Sequence, residues 1–371
     1  MMHVLMQIRQ NVFDLPGGDT IQMLRTKEAL ERRGVQVDIS TDLRPNLRGY
    51  DLVHLFNLTR VQETYLQAEH AKKDDLPIVL STIYWPFQEY EKVATSGLRA
   101  LISRGMGVDG VERAKAFAKY VTGRERSEGT RRLITASYTQ SQREILYAAD
   151  HFLPNAATEM TKIEEVLGFS TSAYTVVPNA VDTCAIENAT TSCGDEFDRY
   201  KGWLVCVGRI DARKNQLALL EAVRGTSYKL LLVGRQSPGH KKYYAQVMDE
   251  VNRNSSVEHL ESLPNGQLYN LFKQCAVSIL PSWFETPGLV SLEAAAMGCR
   301  VVVSPKGTTR DYFGDDAFYC DVSSPDSIRQ AIDLAFEAPA SETLRERILT
   351  EYTWDMAAQK TLDGYQKALA K

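Results

Sequence analysis

The stretch that decides the fold is Val277-Ser278-Ile279-Leu280-Pro281-Ser282-Trp283-Phe284-Glu285-Thr286-Pro287-Gly288-Leu289-Val290-Ser291-Leu292-Glu293-Ala294-Ala295-Ala296-Met297-Gly298. A short apolar strand ends at a proline, a mixed loop follows, and an alanine-rich helix opens behind Pro287 and Gly288. Proline suits the position just before or at the first helical residue, where a missing N–H costs nothing. The amides of Gly288, Leu289 and Val290 are then not used by the helix and can meet phosphate oxygens. Glu285 stands in the loop, whereas Glu293 lies about a turn and a half into the helix. The first can accept hydrogen bonds from sugar hydroxyls and the second from ribose hydroxyls. A helix whose early acids only complement its dipole would explain neither the turn chemistry nor the strand ahead of it.

The same strand-then-helix alternation runs outward in both directions. Upstream, strands are expected at 3–8, 35–39, 52–56, 78–82, 151–154 and 174–177, with helices at 20–33, 61–73, 141–149 and 159–167. Downstream of Asp182, strands are expected at 203–207, 229–233, 257–260, 277–280, 300–303 and 318–320, and helices at 215–223, 243–253, 268–274, 289–297 and 327–336. Alternation of this kind argues for parallel sheets covered on both faces, and an uninterrupted apolar run such as Leu230-Leu231-Leu232-Val233 suits a doubly buried strand. Between the series lie Pro178-Asn179-Ala180-Val181-Asp182 and the polar run 187–198, read as a linker or surface loop. The expected organisation is therefore α/β: two doubly wound, Rossmann-like domains at 1–180 and 181–350 facing a cleft, and a helix in 351–371. Ligands of such open sheets bind beyond the carboxyl ends of the strands.

Two further loops occupy such ends. Gly208-Arg209-Ile210-Asp211-Ala212-Arg213-Lys214-Asn215 follows a strand and sets Arg209 and Lys214 where a helix begins; two cations at a helix N-terminus suit a diphosphate. On this segment alone, a solvated basic loop is an equal reading. Pro16-Gly17-Gly18-Asp19-Thr20 follows the first strand and lets a ligand approach the backbone, but taken alone it reads as a plain β–α turn. It is neither a Walker loop nor a dinucleotide fingerprint.

The bulk figures bound the rest. The chain has 371 residues, enough for two ordinary domains, with 44% hydrophobic and 24% charged residues and a formal charge of −4, which gives no reason to expect a nucleic-acid partner. Six cysteines (Cys184, Cys193, Cys206, Cys275, Cys299, Cys320) show no metal-ligand spacing; a reducing compartment and no disulfide framework are expected. The N-terminus reads as a strand rather than a signal peptide, and no run approaches the ~20 apolar residues of a membrane span. A cytoplasmic protein, at most attached to the inner face of a membrane, is expected.

Taken in order, these segments resemble the GT-B retaining glycosyltransferases, in particular glycosyltransferase family 4 (glycosyl transferases group 1). The resemblance is carried by Gly17-Gly18, Asp51-Leu52-Val53-His54, Pro178 to Asp182, Gly208-Arg209 with Lys214, the acid pair Glu285 and Glu293, and a late Tyr352, Trp354 and Tyr365. It implies that Arg209 and Lys214 hold the donor diphosphate and stabilise it as leaving group. Glu285 would contact the transferred sugar and act in catalysis. Gly17, Gly18, Gly288, Leu289, Val290 and Glu293 would bind the donor, with Glu293 on the nucleotide ribose. It implies transfer of a hexose-type sugar from a nucleotide-diphosphate sugar to a glycan, lipid-linked or small-molecule acceptor with retention of configuration, in the setting of bacterial polysaccharide or glycoconjugate synthesis. No cofactor is implied, since the sugar nucleotide is a substrate, and no metal, since charge on the leaving group can be met by cations and helix amides. The final helix would cross back to the first domain. A sugar-nucleotide epimerase and a non-catalytic nucleotide-sugar-binding subunit are the competing readings on the same fold.

Several positions depart from the pattern. Many relatives carry a histidine after the fourth strand, where this chain has Ser81-Thr82-Ile83-Tyr84-Trp85; either Tyr84 or Trp85 would contribute instead or the site differs in donor preference, with His54 read as a core residue. Arg235 is read as a nucleotide contact or a surface arginine. The stretch 99–132 carries nine basic residues against four acidic, a net +5. It is either a solvated face or a peripheral contact for anionic membrane, with Ala100, Leu101, Ile102 and Met106 facing lipid or core.

Overall fold

The computed structural model describes residues 1–86, 98–123, 125–191 and 196–370, with the side chains of 98–106 and 265 outside that description. Cys193, Arg124 and the side chains of Arg99, Arg104, Ala100, Leu101, Ile102 and Met106 therefore lie outside the described residues. Contacts divide the chain into two compact units, one of Met1–Asn179 with Trp354–Lys371 and one of Ala180–Thr353.

The first unit is built on β1 (His3–Gln7), β2 (Gln36–Ser40), β3 (Leu52–Phe56), β4 (Ile78–Ser81) and β5 (His151–Phe152) in the order β2-β1-β3-β4-β5. Each neighbouring pair is parallel. β3 and β4 are buried along their full length, as strands covered on both faces must be. The layers are α1 (Gly18–Arg32), α2 (Val61–Lys73), α3 (Leu98–Val121), α4 (Glu128–Leu133), α5 (Tyr138–Ala148) and α6 (Ala157–Leu167).

The last helix, α15 (Trp354–Leu369), belongs to this unit. Its buried residues Trp354, Ala357, Ala358, Thr361, Tyr365 and Ala368 recur at helical spacing and form one stripe. The stripe packs on α1 and reaches β5 and β4. Arg32 pairs with Asp355 at 2.8 Å, and Arg33 donates to Gln359 at 2.6 Å. Beneath them Tyr365 Oη lies 2.8 Å from His54 Nδ1, while Ser81 Oγ lies 2.9 Å from Nε2. Both ring nitrogens of this buried histidine thus have a hydroxyl partner, so His54 is a core residue tying helix to sheet.

The second unit orders its strands β11-β10-β9-β6-β7-β8. These are β6 (Leu204–Val207), β7 (Leu230–Val233), β8 (Val257–Leu260), β9 (Val277–Leu280), β10 (Arg300–Val303) and β11 (Phe318–Tyr319), all parallel. Counted within the unit, this is the Rossmann order, with the reversal between its first and fourth strands. Helices α8 (Gln216–Val223), α9 (Lys241–Arg253), α10 (Asn265–Gln274), α11 (Leu289–Ala296), α12 (Thr309–Phe313), α13 (Pro325–Glu337) and α14 (Glu342–Glu351) join and cover the strands. Cys206, Cys275, Cys299 and Cys320 are buried free thiols, whereas Cys184 is exposed.

Two expectations are corrected. Residues 174–177 are not a strand: Tyr174 bridges Phe152, and Thr175 and Val177 donate one hydrogen bond each to Phe152 and Pro154. Beside a two-residue β5 and ahead of Pro178, no ladder develops. The polar run after Asp182 begins instead as helix α7 (Thr183–Thr191), because Asp182 Oδ1 caps the Ala185 amide at 3.0 Å and Ile186 and Ala189 bury against α10.

Burial holds the pKa of His54 down to about 3. In the unfolded chain a histidine binds its proton near 6.5, so below that pH the unfolded state holds a proton that the folded state refuses. Stability should fall by about 1.4 kcal/mol per pH unit from that point down to about pH 3. Urea unfolding from pH 7 to pH 4 checks this: His54→Gln should flatten the acid slope by about one proton, and an unchanged slope would refute the assignment.

Candidate functional site

The reversal of strand order puts β6 and β9 side by side, in register at Leu204 with Val277 and Val205 with Ser278. The loops 208–215 and 281–288 therefore leave the sheet at the same carboxyl edge, the usual ligand position of such a sheet. Their shape is locally determined. A Cβ at Gly234 would fall 1.9 Å from the Gly208 carbonyl oxygen, so the backbones after β6 and β7 can meet only without a side chain there. The Lys214 amide donates to both the backbone and the side-chain oxygen of Asp211, each at 3.1 Å, closing an Asx-type turn. Gln216 Nε2 holds the Arg209 carbonyl at 3.0 Å, and the Trp283 amide donates to the Arg213 carbonyl at 2.9 Å, which ties the loops to each other.

At that junction the charges meet. Lys214 Nζ donates to Glu285 Oε1 at 2.5 Å and Arg213 Nη1 to the same oxygen at 3.1 Å. The side chains of Lys214 and Glu285 are 12% and 9% exposed, which makes this a buried pair. Burial pushes the Glu285 carboxyl up, but the fields of Lys214 and Arg213 outweigh it and bring its pKa to about 2. Burial lowers the pKa of Lys214, opposed by Glu285. Arg209 is different: its side chain is exposed and joins no ion pair among the described residues.

The backbone of Glu285 is fixed as firmly as its side chain. Its amide donates to the Lys306 carbonyl at 3.3 Å, and its carbonyl accepts from the Thr308 amide at 2.9 Å. Gly307 lies between them at φ 97, and a Cβ there would sit 1.9 Å from the Glu285 oxygen. Gly288 caps α11 at φ 83. The Ser291 amide is the first to turn back, to the Gly288 carbonyl at 2.8 Å, which leaves Leu289 and Val290 at a helix start with no intrahelical carbonyl for their amides. The buried hydroxyls of Ser291 and Thr308 have no protein partner. Glu293 is half-buried on α11, with Tyr269 Oη of α10 at 3.4 Å from its carboxylate.

Gly17 and Gly18 stand in the first unit, after β1 and at the head of α1, where that sheet reverses order between β1 and β3. Arg9 organises the loop, donating to Asp19 at 2.7 Å, to Asn11 Oδ1 at 2.8 Å and to the Leu15 carbonyl at 2.8 Å. A Cβ at Gly18 would meet nothing within 4 Å. The protein's own packing thus leaves open space there. Tyr84 is buried, its amide donating to Glu159 at 2.6 Å, while Trp85 is half-buried. Arg235 is exposed and donates to Ser262 at 3.0 Å.

The structure thus joins Lys214 to Glu285, keeps Arg209 unpaired beside them in the chain, and sets Gly288, Leu289, Val290 and Glu293 on the same unit. Sequence reasoning assigned no role to Arg213, Asp211 or Gly307. A cation one residue before Lys214 was visible, but its partner lies 72 residues away. Among the described residues no group of three or more His, Cys, Asp or Glu could hold a metal ion, and no helix is long and apolar enough to cross a membrane.

Residues 196–351, within the second unit, match the family Glycosyl transferases group 1. The chain is 24% identical to a D-inositol 3-phosphate glycosyltransferase of Acidothermus cellulolyticus, over 96% of this chain and 86% of that one. It is 27% identical to an alpha-maltose-1-phosphate synthase of Mycobacterium tuberculosis, over 47% and 50%. Among solved structures, sucrose-phosphate synthase from Thermosynechococcus elongatus superimposes with a TM-score of 0.72 at 15% identity, covering 100% of both chains. Anabaena HepE in complex with UDP and glucose gives 0.67 at 14% identity, covering 99% of this chain and 100% of that one. The fold is GT-B, with two Rossmann-like parallel-sheet domains.

Gly307→Ala should drive a methyl group into the Glu285 carbonyl and strain a positive φ. We expect a loss of about 2–4 kcal/mol in unfolding free energy, read by urea denaturation. Stability equal to the parent protein would show that the 306–308 segment does not brace Glu285.

Proposed function

We propose that the chain is a retaining glycosyltransferase that moves a hexose-type sugar from a nucleotide-diphosphate donor to a glycan, lipid-linked or small-molecule acceptor. One observation carries the reading: an exposed Arg209, in no ion pair among the described residues, and a buried Lys214–Glu285 pair stand on neighbouring loops at the switch point of a sheet that matches glycosyl transferases group 1. Cleaving a glycosyl–phosphate bond builds negative charge on the departing diphosphate. Arg209, Lys214 and the free amides at the start of α11 are donors that can meet that charge. They make the chemistry independent of a metal or cofactor. Glu285 faces the sugar hydroxyls and Glu293 the ribose, and Gly17-Gly18 is a donor-binding loop that leaves backbone open to close approach. Retention follows from attack on the face from which the leaving group departs.

The relatives support a nucleotide-sugar donor, since HepE was solved with UDP-glucose and with UDP. We place the protein in the cytoplasm, in polysaccharide or glycoconjugate synthesis. The basic stretch 99–132 then serves as a peripheral contact for anionic membrane, and Phe117 and Val121 on α3 are exposed, 56% and 58%, on that stretch.

A thermal-shift screen with UDP, GDP, ADP and their sugars tests the donor reading. At a hundredfold excess over Kd, one nucleotide should add about 2.7 kcal/mol, a rise of roughly 2–4 °C for a chain of this size. Lys214→Ala should abolish the rise more completely than Glu285→Ala. If no nucleotide shifts the transition, the assignment fails. The anomeric signal of the product by proton NMR decides retention.

A further inference from the structure

We infer that Arg213 is a positioning residue: it is the second counterion that holds the Glu285 carboxylate in place when Lys214 turns to the donor diphosphate. The inference rests on the donor reading above but concerns a residue that this reading does not use.

The geometry is specific. Glu285 Oε1 receives both cations, Lys214 at 2.5 Å and Arg213 at 3.1 Å. The loops 208–215 and 281–288 carry Arg209, Arg213 and Lys214 against Glu285 and the buried Asp211, which also acts on Lys214, so one positive charge is in excess before any ligand arrives. A diphosphate answers that surplus. Of the two cations on Glu285, Lys214 is the one free to serve it, because Arg213 is committed elsewhere: the same Nη1 donates to the Phe284 carbonyl at 3.0 Å, and the guanidinium carbon lies 5.3 Å from the Phe284 ring centroid. These contacts hold Arg213 against the chain that carries Glu285. Without Arg213, a buried carboxylate would depend on Lys214 alone, and drawing Lys214 away would leave an uncompensated buried charge. Incoming diphosphate would then compete with Glu285 for one ammonium. With Arg213 present, the carboxylate keeps a partner throughout and Lys214 is released to the ligand.

Isothermal titration with UDP, GDP and ADP tests this, carrying forward whichever binds the parent protein. Arg213→Ala should weaken binding about ten-fold. Arg213→Met, which keeps an apolar stem over Phe284, should do the same. Arg213→Lys should recover most of the loss. The deciding variant removes the competitor: in Arg213→Ala/Glu285→Gln the carboxylate charge is gone, Lys214 is free, and affinity should return to within about two-fold of Glu285→Gln alone. A residue that merely pins the loop would show no such recovery. If Arg213→Ala and Arg213→Met bind as tightly as the parent while Lys214→Ala does not, this inference is wrong and the donor reading survives. If the double variant stays as weak as Arg213→Ala, the counterion role is likewise refuted. If no nucleoside diphosphate binds the parent, or Lys214→Ala binds normally, the donor reading falls and takes this one with it.

Discussion

The second unit depends on one buried ion pair. Putting Lys214 and Glu285 out of water is costly unless each remains close to the other and further hydrogen bonds complete their shells. Breaking such a pair by removing one partner costs about 3–5 kcal/mol, enough to decide where two loops go. Asp211 sets the turn that aims Lys214, Trp283 and Arg213 join the loops through the backbone, and the 306–308 segment grips Glu285 from the other side. The functional loops are therefore as well determined as the sheet beneath them.

Both sheets are parallel and both reverse order once, between β1 and β3 in one and between β6 and β9 in the other. Each reversal sets two loops at the same carboxyl edge of its sheet, the usual ligand position of such sheets. The two reversals differ in chemistry. At the reversal in the second unit the loops 208–215 and 281–288 carry three cations, Arg209, Arg213 and Lys214, against two carboxylates, Asp211 and Glu285. In the first unit Arg9 and Asp19 answer each other at 2.7 Å with little exposure, and Gly18 there offers open space rather than charge.

Most strands were legible because a parallel strand covered on both faces is an apolar run, and β3, β8, β9 and β10 fall on their expected bounds. Helix α15 was legible from the spacing of Trp354, Tyr365 and their neighbours. What escaped was decided by context. Residues 174–177 have the composition of a strand but only a two-residue neighbour to pair with. Helix α7 carries three threonines in nine residues and forms because Asp182 caps it and α10 covers it. The motif residues of the second unit stood out by their turn chemistry. That Glu285 is the common acceptor of Lys214 and Arg213 is a tertiary fact, and no local pattern announces it.

The path of the chain has a consequence for its birth. Residues 1–179 of the first unit are synthesised ahead of the second unit, yet the helix that covers α1 and clasps His54 is supplied only after the whole second unit has been translated. Val181 and Thr353, where the chain enters and leaves that second unit, are bridged partners, so it closes on itself as an uninterrupted segment. On a ribosome the order of completion is thus inverted: the later-made unit can finish first, while the earlier one waits, with the α1 surface uncovered, for residues beyond Thr353 to emerge.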